Sequence, residues 1–123
     1  MIDVIEPTQP QRVEKPWGHE VWWAHTDQYA GKLLFVRAGQ RLSLQYHREK
    51  DETSYLLSGR LLLVQGDDAE RLTETTLEPG VRWRNAPGVV HTVEAIEDAT
   101  ILEVSTPELD DIVRLSDRYG RAD

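Results

Sequence analysis

Turn signals punctuate this chain roughly every 8–12 residues from Trp17 onward, a spacing that leaves room for short strands and little else. The signals are Ala38-Gly39, Ser58-Gly59, Gly66-Asp67-Asp68, Pro79-Gly80 and Pro87-Gly88. Between them lie runs rich in strand formers at 21–24, 32–37, 42–47, 54–57, 61–65, 71–77 and 82–84. Two more, 89–96 and 100–105, read as a hairpin around Glu97-Asp98, and Ser58-Gly59 reads as a tight turn. The fold class is therefore all-β, a sandwich or barrel of short antiparallel strands. One segment breaks the pattern. Apolar residues at Leu109, Ile112, Val113 and Leu115 predict a short helix packed on the barrel. Residues 1–14, polar and restricted by Pro7 and Pro10, read as an arm or edge strand. Residues 15–107 form the barrel, and 108–123 a helical or tail segment.

At 123 residues the chain fits one domain with a real core. It has no cysteine, which excludes disulfides and thiolate metal sites and fits a reducing cytoplasm. With 14 basic against 22 acidic residues, the net charge of −8 argues against nucleic acid or anionic lipid as a partner. The first residues lack a basic stretch followed by an apolar one, and no apolar run approaches the ~20 residues that span a bilayer. Acidic clusters at Asp67, Asp68 and Glu70, and at Glu108, Asp110 and Asp111, read as solvated surface.

Strand periodicity turns this map into a candidate site. Leu42, Leu44 and Tyr46 share one face of their run, and Ser43, Gln45 and His47 share the other. Polar side chains gathered on one face need something polar to meet. In the stretch GQRLSLQYHREKDETSYLLSG, five residues separate Gly39 from Gln45, one separates Gln45 from His47, four separate His47 from Glu52, and six separate Glu52 from Gly59. In GVRWRNAPGVVH, Gly80 opens a segment that ends at His91, three residues after Gly88.

These two stretches resemble the bipartite cupin signature, G-x5-[HQ]-x-H-x4-E-x6-G followed by G-x5-P-x-G-x2-H, with Ala86 where the second part usually has proline. The resemblance implies a cupin β-barrel, a small jelly roll, with Gln45, His47, Glu52 and His91 as ligands of one divalent transition metal. Two imidazoles, a carboxylate and an amide oxygen suit Zn, Mn, Fe, Ni or Co alike.

A closer resemblance covers about residues 13–121. Lys15-Pro16-Trp17-Gly18, the run GKLLFVRAGQRLSLQYH, and the ending DDIVRLSDRYGR look like the C-terminal isomerase domain of bifunctional mannose-6-phosphate isomerase/mannose-1-phosphate guanylyltransferase. It implies an aldose–ketose isomerase acting on a hexose phosphate. Arg121 is then the residue expected to serve catalysis by holding the phosphate, with Lys50 or Lys32 as a second substrate-binding cation. Glu94 and Glu103 are candidate bases by chemistry alone. A stand-alone barrel, homodimeric by family resemblance, is expected. The departures are Arg48 and Glu49 after the Gln-x-His pair, Lys50 in place of an arginine, Thr53-Ser54 after Glu52, Ala95, and a shortened segment at Ser105-Thr106-Pro107-Glu108. They keep two other readings open: a metal-cupin dioxygenase on a small organic acid, and a sugar-binding barrel without turnover. Trp17, Trp22, Trp23 and Trp83 read as core or interface residues, and His19 and His25 as structural.

Overall fold

The computed structural model describes residues 6–123, so the first part of the 1–14 arm lies outside the described residues. Nine strands follow: β1 (Gln11–Lys15), β2 (Gly18–His25), β3 (Ala30–Val36), β4 (Leu44–Tyr46), β5 (Glu52–Gly66), β6 (Leu72–Leu77), β7 (Arg82–Asn85), β8 (Val90–Ser105) and β9 (Val113–Ser116). All pairings among them are antiparallel. The strands run β1-β2-β3-β8-β4-β9 across the sheet, while β5 pairs with β6, β7 and β8. Among the described residues β1 pairs only with β2 and forms an edge.

The sequence reading errs at two turns, and both errors lie at one corner. Ser58-Gly59 and Glu97-Asp98 end no strands; they sit inside β5 and β8, which pair from Glu52↔Ser105 to Gly66↔Val90. Leu56 pairs with Ile101 and Leu61 with Ala95, so five steps on β5 oppose six on β8. That irregularity bends the ladder and switches the inward side of β5 from even positions (Glu52, Ser54, Leu56) to odd ones (Leu61, Leu63). Gly59 makes the bend possible. Its φ is +88°, and a Cβ there would lie 2.2 Å from the Asp98 carbonyl oxygen.

The sheet curls around a core of Trp17, Leu34, Val36, Leu56, Leu61, Leu63, Trp83, Val93 and Ile101, among others. Trp17 and Trp83 are core residues as expected, whereas Trp23 is half exposed.

The expected C-terminal helix is absent: there is no helix among the described residues, and Val113–Ser116 is a strand. It fills the free edge of β4, pairing Gln45 with Arg114 and Tyr46 with Val113. A single helical turn or two is marginal without a buried stripe. β-branched Val113 instead opens a strand whose ladder gives the edge of β4 partners it would otherwise lack.

Candidate metal centre

Glu52 and His91 stand at opposite ends of the β5–β8 ladder, where Glu52 pairs with Ser105 and His91 with Gln65. Yet His91 Nε2 lies 3.9 Å from Glu52 Oε2, because the curled sheet brings its ends together. His47, just beyond β4, completes the group: its Nε2 is 2.8 Å from Glu52 Oε1. All three residues are buried, and one ligand atom from each falls within 4.8 Å of the others. Gln45 pairs with His91 across β4 and β8 and lines the same cavity. Its Oε1 accepts a hydrogen bond from Ser43 Oγ at 3.0 Å, leaving a second lone pair.

Local hydrogen bonds fix both imidazoles in the form a metal requires. His47 Nδ1 lies 2.6 Å from the Asp111 carbonyl oxygen, and His91 Nδ1 lies 2.9 Å from that of Val89. A carbonyl only accepts, so each Nδ1 donates its proton outward and each ring turns its Nε2 inward. Among the described residues neither Nε2 has a partner in hydrogen-bond geometry, although His47 Nε2 lies 2.8 Å from Glu52 Oε1. Two imidazole nitrogens thus converge on one buried carboxylate. A cation resolves such an arrangement, so the residues present fit a divalent metal.

The electrostatics point the same way. Burial pushes Glu52 up, but the contact with His47, the Lys50 ammonium and His91 outweigh it and hold the carboxyl well below its ordinary range. Burial drives His91 down, partly opposed by Glu52, so its neutral form is favoured. Glu103 lines the same cavity. Burial and the nearby Glu52 raise it to about 7, against the pull of Lys50 and Lys32.

The other expected site residues are placed as follows. Lys50 and Lys32 both line the cavity. Lys50 Nζ is 3.2 Å from Glu52 Oε1 and 3.4 Å from Glu103 Oε2. Lys32 Nζ is 3.2 Å from Glu20 Oε1 and stands over the Trp22 ring. Arg121 lies outside this cavity, in an adjoining one, and is bonded to both oxygens of Asp117. Of the candidate bases, only Glu103 reaches the cavity; Glu94 pairs with Arg118 and Arg41. His25 is exposed, and His19 stacks on Phe35.

Sequence reasoning missed three supporting residues. Asp111, placed in a solvated acidic cluster, accepts hydrogen bonds from the backbone N–H groups of Arg48, Glu49 and Lys50, which join His47 to Glu52. Asn85 donates to Glu52 Oε2 and accepts from Gln65. Glu20, buried between Lys32 and the Trp22 indole N–H, closes one wall. Asn85 lies inside the second motif, where its buried strand position was the available signal; nothing local marks Asp111.

Residues 4–117 match the family model described as mannose-6-phosphate isomerase C-terminal. The xanthan biosynthesis protein XanB of Xanthomonas campestris pv. campestris (strain B100) is 34% identical over 120 residues, covering 94% of this chain and 25% of that protein. Mannose-1-phosphate guanylyltransferase 2 of Escherichia coli O157:H7 is 28% identical over 120 residues, covering 92% of this chain and 23% of that protein. The chain therefore spans about a quarter of the length of these relatives. Among solved structures, an RmlC-like cupin from Shewanella frigidimarina NCIMB 400 superposes with a TM-score of 0.71 at 15% identity, covering 83% of this chain and 87% of that one.

Proposed function

The chain belongs to the mannose-6-phosphate isomerase C-terminal family of cupins, and from that premise we propose that it is a metal-dependent aldose–ketose isomerase acting on a hexose phosphate. The observation that carries this reading is the buried trio of His47, Glu52 and His91, its two Nε2 atoms turned onto a carboxylate beside a fourth, protonatable group, Glu103. A divalent cation held there, with Gln45 as a further ligand, would supply Lewis acidity to the sugar's carbonyl and hydroxyl oxygens.

The chain's own residues supply the rest. Interconverting an aldose and a ketose moves one proton between C1 and C2 and a second between their oxygens. Glu103 is the group in this cavity suited to take a proton from one carbon and return it to the other, its carboxyl raised above the ordinary range by burial. Lys50, between Glu52 and Glu103, keeps the two carboxylates apart in role: one stays ionised while the other exchanges a proton.

The test is interconversion of mannose 6-phosphate and fructose 6-phosphate by protein reconstituted separately with Mn, Fe, Co, Ni and Zn. Turnover with at least one metal, abolished by chelator, is expected. Full metal loading without turnover on either sugar would overturn the isomerase reading.

A further inference from the structure

The metal cavity is small, ≈ 60 Å³, room for a few water-sized groups and so for the reacting end of a sugar rather than the whole of a hexose phosphate. Its two lysines already face three carboxylates. A phosphorylated substrate therefore needs positive charge elsewhere. A second cavity abuts the first, sharing Glu20, Leu42, Gln45 and Ile112 as walls. Its remaining lining is Lys15, Trp17, Ser43, Arg114 and Arg121.

Three cations thus converge in one hollow of a protein whose net charge is −8. Among the described residues, Lys15 and Arg114 make no side-chain hydrogen bond or ion pair, and Arg114 Nε is buried without a partner. A buried donor left unmet is costly, and it marks a place where an acceptor belongs. Arg121 is held by Asp117 through Nε and one terminal nitrogen, which orients the guanidinium and leaves three of its N–H groups free. Burial lowers Lys15, and the neighbouring Lys32, Arg121 and Arg114 add to that against Glu20, so a dianion arriving here relieves mutual repulsion.

Resting on the isomerase reading for the identity of its ligand, we propose that Lys15, Arg114 and Arg121 form the phosphoryl subsite, holding the phosphate of the sugar while its other end reaches His47, Glu52 and His91. Lys32 and Lys50 then serve the carboxylates rather than the phosphate. Arginine's planar fork suits the phosphoryl oxygens, and the ammonium of Lys15 adds a point charge.

The probe is inorganic phosphate, titrated calorimetrically into metal-free protein so that phosphate–metal contacts do not contribute. Wild type, Lys15→Met, Arg114→Met and Arg60→Met are compared, each first shown by thermal melting to be folded. Each of the first two substitutions is expected to weaken phosphate binding on the order of tenfold or more, from the loss of a charged hydrogen bond. Arg114→Lys should restore part of it. Arg60→Met, an exposed cation paired with Glu78, should leave it unchanged. Equal affinity in wild type, Lys15→Met and Arg114→Met, or no phosphate binding by wild type, overturns the subsite. The two readings fail separately. Phosphate binding lost in these variants, with no isomerisation by wild type, removes the reaction and keeps the subsite. Isomerisation with a KM for mannose 6-phosphate unchanged by Lys15→Met and Arg114→Met removes the subsite and keeps the reaction.

Discussion

Replacing Asp111 tests how the centre is held, because this carboxylate touches no expected ligand side chain yet organises the loop between two of them. Oδ1 accepts from Arg48 N at 3.0 Å, and Oδ2 accepts from Glu49 N at 2.6 Å and Lys50 N at 2.9 Å. Each hydrogen bond to a charged acceptor contributes about 1.5–3 kcal/mol, less where water replaces it. Arg48 and Glu49 are exposed and Lys50 is buried, so Asp111→Ala is expected to cost about 2–3 kcal/mol in all. For a domain of this size that lowers Tm by roughly 10 °C. Asp111→Asn keeps one acceptor oxygen and turns an amide N–H₂ toward a backbone donor, so it should fall between. Metal affinity should drop roughly tenfold, as for other residues that support ligands from behind. His47 stays oriented, since it bonds the backbone of Asp111 and not its side chain. The pH dependence has a definite sign. Burial pushes the Asp111 carboxyl up, but the three backbone N–H groups outweigh it and hold it at about 2, below the ordinary 3.8. Its contribution is therefore complete above 3.8 and lost as pH falls through about 2, so the gap between wild type and Asp111→Asn should close over that window. Circular-dichroism melts and metal titrations of the three proteins decide the matter. An Asp111→Ala variant within about 0.5 kcal/mol of wild type would refute the loop-anchoring argument.

Three further expectations follow from the same geometry. Gly59→Ala should destabilise by about 3 kcal/mol or more, since its Cβ would meet Asp98 O at 2.2 Å and Ala99 Cα at 2.6 Å, whereas Gly88→Ala, at φ +87° with nothing within 4 Å, should cost about 1 kcal/mol; equal losses in urea denaturation would show that the β5–β8 corner is not a close backbone approach. Lys50→Met strands Glu52 and Glu103 without their shared cation and should cost about 3–5 kcal/mol at pH 8. Without Lys50, one of the charges that holds Glu103 down, that carboxyl takes its proton at a higher pH than in wild type, so the loss should shrink as pH falls, and a pH-independent loss would contradict this. Glu103→Gln should lower kcat by about 10²–10⁴ and abolish the acid limb of the kcat/KM profile, and a surviving limb would assign the proton transfer to another group.

Much of the centre was legible because strand period and loop length carry it. His47, Glu52 and His91 lie at motif positions whose spacing survives folding, and the Ser43-Gln45-His47 face follows from simple alternation. What sequence could not carry was closure. The ladder places Glu52 and His91 at opposite ends, and only the curl of the sheet joins them. Turn chemistry misled at Ser58-Gly59 because the same left-handed glycine serves a turn and a bend in a continuous strand. The tail misled because apolar residues at 109, 112 and 113 fit a helix, while the choice was made by the unpaired edge of β4. Asp111 looked solvated because its three donors are backbone groups more than sixty residues away in sequence. The second cavity draws Lys15 from β1 and Arg114 from β9, a juxtaposition that no local pattern announces.

Metal content measured by elemental analysis, after reconstitution of chelator-stripped protein with Mn, Fe, Co, Ni and Zn in turn, tests the central claim most directly. About one equivalent per chain is expected for at least one of the five, abolished or greatly weakened by His91→Ala and unaffected by His25→Ala, since His25 is exposed and outside the cavity. Binding below about a tenth of an equivalent for all five metals, or equal binding by the two histidine variants, would contradict a metal centre at His47, Glu52 and His91.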